Sequence, residues 1–329
     1  MRLALASVFC LLAAPALAQG EGAPWAAEPD SIHTEGGVLH GTLVVPDREG
    51  SVPVVLIVAG SGPTDRDGNQ AGAGANTLLQ LAEALAQQGV ASLRFDKRGM
   101  YESESADIDM ATRPFDRLAR DVVEWTDRLQ ADPRFSTVTI AGHSEGALFA
   151  LIAARQAGAD AVVSIAGVGA PAHVTLRRQL TDPRAVPPAQ HDVARAALDS
   201  LALGRSPGAL TGPLAGFFRP TIQPYLINWF AYDPAAEASA YRGPLLIVQG
   251  TTDFQVEVAD AEMLAAARPD ARLVLVEGMN HALKHDTADR LVQMTTTYVD
   301  PSHPVDPALV EAVSTFVLGV EPLTIVPAE

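Results

Sequence analysis

One pentapeptide constrains this chain more than any other feature. Gly142-His143-Ser144-Glu145-Gly146 lies between a stretch that reads as a strand, 137–141, and one that reads as a helix, 145–156. A strand that enters a helix through so few residues must turn so sharply that side chains at both glycine positions would clash. The serine is then left exposed at the strand's carboxyl end. The Glu145 amide, at the helix start, points where a negative oxygen would form if that serine attacked a carbonyl. An ordinary glycine-rich turn is the alternative reading, and the surrounding sequence weighs against it.

Strands also read at 38–45, 52–58, 90–95, 161–166, 244–249 and 271–276, the second as an unbroken apolar run. Helical spacing separates them. Asn76 is placed to cap a helix carrying Leu78, Leu81 and Leu85, and 115–129 carries Leu118, Val122, Trp125 and Leu129 on one face. A last helix reads at 307–318. Short buried strands alternating with helices imply an α/β fold whose mostly parallel sheet is covered on both faces. The rhythm breaks over 167–241, which is rich in Pro, Ala and Arg and holds Phe217, Phe218, Tyr225, Trp229 and Phe230. The expected organisation is a core of 19–166 and 242–329, with 167–241 a helical cap insertion over one end of the sheet. Within the cap, Phe218, Tyr225 and Trp229 are the expected lining of a substrate pocket.

The first eighteen residues read as a cleavable signal peptide. Met1-Arg2 is a short positive start, 3–12 is apolar, and Ala16-Leu17-Ala18 is the small-x-small pattern that a signal peptidase cuts. A membrane anchor fits less well, since about 20 apolar residues are needed to span a bilayer. The mature chain is then expected to begin at Gln19, in a periplasmic or secreted location. Cys10, the one cysteine in the sequence, would leave with the signal. That excludes disulfides, thiol nucleophiles and cysteine metal sites from the mature chain. Against 39 acidic residues stand 23 basic ones, which argues against nucleic acid or an anionic membrane surface as partner.

A serine needs a base, and around such an elbow the partners follow in the order serine, acid, histidine. His281 sits in Gly278-Met279-Asn280-His281, directly after the last strand, and His285 is the alternative. His143 adjoins the nucleophile, but its side chain is expected to point away and serve structure. Asp253, just past the carboxyl end of the next-to-last strand, is the expected acid that holds the base. Its alternative role is a turn aspartate, and Glu257 and Asp260 are fallbacks on the following helix. The second oxyanion donor, beside the Glu145 amide, is expected from Ala59-Gly60-Ser61-Gly62-Pro63. The Ser61 amide is the choice, Gly62 the alternative, and Pro63 has no N–H to give. Asp65-Arg66-Asp67-Gly68-Asn69 begins like a calcium loop, but its glycine is misplaced and Asn76 stands where a bidentate Glu is required. No metal is expected. Asp96-Lys97-Arg98-Gly99 reads as a charged turn that anchors neighbouring loops.

From Thr34 to the C-terminal helix, the chain resembles the α/β-hydrolase superfamily. The run from Gly60 to Asn69, the Asp96-x-Arg98-Gly99 turn and the Ser144 pentapeptide are similar to those of a group of bacterial esterases and serine-aminopeptidase-like hydrolases. So are Gln249-Gly250 leading to Asp253, Gln255-Val256, Asn280-His281 and Leu283-Lys284. The resemblance implies carboxylic-ester hydrolysis through Ser144, His281 and Asp253, on a small-molecule ester, without metal or organic cofactor. Ala59 departs from the pattern, since many relatives carry His there; a backbone donor is unaffected by that change. A peptidase or amidase, an acyltransferase and a non-catalytic binding protein on the same scaffold are the competing readings.

Overall fold

The computed structural model describes residues 23–107, 109, 114–184 and 186–320. The expected signal peptide, 1–18, lies outside them. Among the described residues eight strands form one sheet: β1 Trp25–Thr34, β2 Gly37–Pro46, β3 Val52–Val58, β4 Ala91–Phe95, β5 Phe135–His143, β6 Ala161–Ile165, β7 Leu245–Gly250 and β8 Arg272–Val276. Their order is β1-β2-β4-β3-β5-β6-β7-β8, antiparallel across β1, β2 and β4 and parallel from β4 to β8. The helices are α1 Thr77–Gln87, α2 Pro114–Gln130, α3 Glu145–Ala157, α4 Ala172–Leu180, α5 His191–Ala202, α6 Gln223–Phe230, α7 Pro234–Ala240, α8 Val258–Ala267, α9 Arg290–Thr295 and α10 Pro307–Leu318.

The apolar runs explain the layering. In β3, Val54, Leu56 and Val58 enter a core shared with α2, α3 and α8. Val55, Ile57 and the following Ala59 enter the opposite core, built with α1 and α10. Alternate residues of a strand face opposite sides, so a strand buried on both faces has to be apolar throughout. Each parallel pair needs a crossover, and the helices supply it. The carboxyl ends of β3, β5, β7 and β8 therefore emerge at one edge, where loops from distant parts of the sequence meet.

The segment between β6 and β7 holds α4 to α7 and packs on α2 and α3. Asn228 Oδ1 accepts the Phe115 and Asp116 amides at 3.0 and 3.2 Å, which satisfies first-turn donors of α2 that the helix itself cannot bond. The charged turn after β4 anchors neighbouring segments as expected. Arg98 forms a two-point pair with Asp121 at 3.0 and 2.7 Å, both side chains being buried, and Asp96 holds Arg66 of the glycine-rich loop. Among the described residues no helix is long and apolar enough to cross a membrane.

Two local expectations change. The edge strand β1 was not legible, because its face is only half covered and Pro29 interrupts its pattern; an edge position tolerates both. Asn76 does precede α1, but in the left-handed conformation at φ 52° and without a side-chain cap. The Asp67 carbonyl takes the Leu78 and Leu79 amides instead. Asn76 Oδ1 accepts Asn69 Nδ2, and the Asn76 backbone amide donates to Asn69 Oδ1 across the loop.

Candidate active site

Ser144 stands between β5 and α3 at φ 57° and ψ −121°, a conformation that an L-residue adopts only when its surroundings impose it. The surroundings are backbone. A Cβ on Gly142 would run into the Gly146 carbonyl, and a Cβ on Gly146 would run into the Val58 carbonyl. The Ser144 amide is tied to the Ile165 carbonyl at 2.9 Å. The hydroxyl is thus lifted above the sheet edge, beside the amino end of α3, whose partial positive charge favours a developing anion.

His281 follows β8 in the loop that begins at Glu277, and its Nδ1 lies 2.7 Å from Asp253 Oδ2. Asp253 is held in turn. Its Oδ1 accepts the Gln255 and Val256 amides at 2.7 and 2.9 Å, and Gln249 Nε2 reaches Oδ2 at 3.3 Å. A carboxylate with those donors is fixed in place, and it fixes the imidazole that bonds it. The alternatives fall elsewhere. His285 has a side chain 71% exposed and faces Asp306, while Glu257 and Asp260 form the capping box of α8.

Ser144 and His281 open into one cavity of about 170 Å³, whose wall also includes Gly60, Ser61, Leu78, Gln255 and Tyr298. No carboxylate lines it among the described residues. Neither the Ser61 nor the Glu145 amide has a hydrogen-bond acceptor among the described residues. Both expected oxyanion donors are therefore free at this edge. The Glu145 side chain turns inward, where it accepts the Tyr225 hydroxyl at 2.6 Å; burial raises its pKa, opposed in part by the charge of Lys97. Among the described residues no cluster of His, Asp and Glu is placed to hold a metal ion.

His143 does not point away from the site. Its ring packs 4.7 Å from that of His281, lines the cavity, and contacts the His281 carbonyl through Nε2 at 3.0 Å. Burial, and then the neighbouring His281, hold its pKa down to about 3. It is neutral near pH 7, so Nε2 carries the proton and donates, and the ring braces the loop of the base. An outward orientation was expected of a neighbour to the nucleophile, but His143, still paired with Ile165 of β6, turns its ring toward His281. Gln255 and Tyr298 are the other members missed. Tyr298 comes from a segment with no motif, and its hydroxyl accepts Gln255 Nε2 at 2.9 Å.

The expected pocket aromatics require correction. Phe218, Tyr225 and Trp229 do not line the cavity of Ser144. Phe218 has no exposed surface and lies in the larger core. Trp229 stacks parallel to Phe115 at 6.0 Å, and Tyr225 tilts against the same ring at 5.7 Å on its way to Glu145. Phe115 of α2 takes up two of these rings and the core encloses the third, so they attach the insertion to the sheet domain. The cavity walls come from the loop after β3 and the segment after His281.

With this geometry in hand, known proteins give a consistent comparison. The family model of serine aminopeptidases (S33) matches residues 71–203, a span that holds Ser144 but neither Asp253 nor His281. Esterase EstD of Thermotoga maritima is 26% identical over 260 residues, 74% of this chain and 58% of the relative. The chain thus spans under two thirds of the length of that curated relative. Among solved structures, Est1E from Butyrivibrio proteoclasticus aligns at TM-score 0.58 and 18% identity, over 88% of this chain and 97% of its own. An acylaminoacyl peptidase from Pyrococcus horikoshii aligns at 0.56 and 14%, over 93% of this chain and 43% of its own. At these identities the structural likeness speaks to the fold.

The burial of the aromatics gives a test. Phe218→Ala is expected to lower the unfolding free energy in urea by about 3–5 kcal/mol. Phe217 has 37% of its surface exposed, so Phe217→Ala is expected to cost much less. Equal losses in the two variants would contradict the placement of Phe218.

Proposed function

The chain has the α/β-hydrolase fold, and on that fold we propose that it is a serine carboxylesterase acting through Ser144, His281 and Asp253. The observation that carries the reading is the 2.7 Å contact of His281 Nδ1 with Asp253, on an imidazole that shares one cavity with Ser144 and Ser61. The esterase name of the Thermotoga maritima relative supports the same reading.

The chemistry follows from the arrangement. Asp253 keeps the His281 proton on Nδ1, so Nε2 is free to take the proton of the Ser144 hydroxyl. As it does, Oγ bonds to the ester carbonyl carbon and the carbonyl electron pair moves onto oxygen. The Ser61 and Glu145 amides hold that oxyanion, each donor of this type contributing about 3–4 kcal/mol. Collapse expels the alkoxide, which takes the proton from His281 and leaves an acyl-enzyme. Water then repeats the sequence and releases the acid.

One feature separates this from a peptidase that recognises a free amino terminus. Such a substrate brings an ammonium group, and burying it demands a carboxylate partner. Besides the reacting groups and His143, the cavity wall offers hydroxyls of Ser61, Thr64, Thr77 and Tyr298 and amides of Gln70 and Gln255, and among the described residues no carboxylate. With Leu78, Ala75 and Ala282 as the apolar part, it suits an uncharged ester with a small or medium acyl group.

Export belongs to the same proposal. A positive start, an apolar run and Ala16-Leu17-Ala18 support removal of 1–18 by a signal peptidase. Protein recovered from an exporting host is expected to begin at Gln19 on N-terminal sequencing. An intact Met1, or a lipid on Cys10, contradicts this.

Kinetics on p-nitrophenyl esters test the assignment of roles. Ser144→Ala and His281→Ala are each expected to lower kcat by at least about 10⁴-fold, and Asp253→Asn somewhat less, since the three act as a unit. His285→Ala is expected to keep wild-type turnover. Inactivation by His285→Ala, or retained turnover in Ser144→Ala, would require a different assignment.

A further inference from the structure

Within the Asp96–Gly99 turn, Asp96 and Arg98 bind Arg66 and Asp121, but Lys97 holds the loop that carries Ser61. Lys97 is 5% exposed, and its Nζ donates to the Gly60 and Gly62 carbonyls at 2.6 Å each. A buried ammonium is costly unless its protons are used. Here two of them grip the residues on either side of Ser61.

The position of that grip matters because a peptide unit is rigid. The Gly60 carbonyl and the Ser61 N–H belong to one planar trans unit and point in opposite directions. Fixing the oxygen end therefore fixes the direction of the hydrogen end. A cation on the oxygen also draws electron density out of the amide, which strengthens the N–H as a donor. The Gly62 carbonyl belongs to the peptide of Pro63, which has no N–H, so that second bond holds the loop and polarises no donor. The Ser61 carbonyl is taken separately, by Thr64 Oγ1 at 3.0 Å and Gln70 Nε2 at 3.1 Å. Carbonyls of three successive residues are thus engaged, while the Ser61 N–H has no acceptor among the described residues.

We propose that Lys97 is a positioning residue of the oxyanion hole, which aims the Ser61 N–H and strengthens it through the Gly60 carbonyl. The proposal rests on the esterase reading above. A second link supports it. Burial lowers the Lys97 pKa, and the carboxyl of Glu145, the residue whose own amide is the other expected donor, opposes that shift. One ammonium group is therefore tied by hydrogen bonds to one donor segment and by charge to the other.

The experiment compares wild type with Lys97→Met, which fills similar space and donates nothing, and Lys97→Gln, which keeps a neutral two-proton donor. For p-nitrophenyl acetate, Lys97→Met is expected to lose at least about 10-fold in kcat with KM within about twofold, the pattern of an interaction made only in the transition state. An aryl trifluoromethyl ketone adds Ser144 Oγ to its carbonyl carbon, passes the hydroxyl proton to His281 and leaves an oxyanion in the hole. Its inhibition constant is expected to rise by the factor by which kcat/KM falls. Lys97→Gln is expected to lie between Lys97→Met and wild type, and it decides the matter if circular dichroism shows Lys97→Met unfolded. A folded variant with wild-type kcat and wild-type ketone affinity overturns the role of Lys97 alone. A wild type that hydrolyses no ester and binds no ketone overturns the functional reading, and the role of Lys97 with it.

Discussion

The site depends on a close approach of backbones. Gly142 faces Gly146, and Gly146 faces the end of β3, at separations that leave no room for a Cβ. That contact makes the turn at Ser144 tight enough to hold a serine at φ 57°. A conformation of this kind costs about 1–3 kcal/mol in isolation and persists only where the structure around it allows no other. Here β5 is paired on both sides, with β3 and with β6, and the Ser144 amide is bonded to β6 itself. Strain at the nucleophile is carried by central, largely buried strands of the sheet.

Around that fixed point, the walls of the cavity are pinned by buried cations. Lys97 holds the loop after β3, and Lys284, three residues beyond His281, donates to the Ala75 and His303 carbonyls at 2.8 and 2.5 Å. Burial lowers the Lys284 pKa to about 8, with Asp300 opposing the shift. His143 adds a neutral brace between the nucleophile strand and the loop of the base. Segments that bear a reacting group or an expected oxyanion donor are thus tied to other elements by buried or half-buried polar contacts. Such networks suit a site that must keep its geometry while charge moves across it.

Much of this was legible in the sequence because it was encoded in short, local patterns. Unbroken apolar runs bounded by turn residues located the strands of the parallel sheet, and the glycines around Ser144 announced the turn. Asp253 and His281 could be found because each directly follows a strand, and parallel strands deliver such residues to the same edge. What could not be read depends on long-range packing. Nothing local says where the His143 ring points, because the ring it packs on, His281, arrives from a loop far along the sequence. The aromatics of 217–230 have the composition of a pocket wall and that of a core alike, and Phe115 took Tyr225 and Trp229 for the core. Tyr298 reaches the cavity from a segment without periodicity, with Phe254 stacked on it at 5.6 Å.

The central claim is that Ser144 is a nucleophile activated by His281 and supported by free amides at the sheet edge. Reaction of the folded protein with a fluorophosphonate, followed by peptide mapping in a mass spectrometer, tests it most directly. The account predicts one adduct per chain, located on Ser144, formed much more slowly in His281→Ala and suppressed by prior urea unfolding. An intact mass without adduct, or an adduct mapped to another serine, would contradict it.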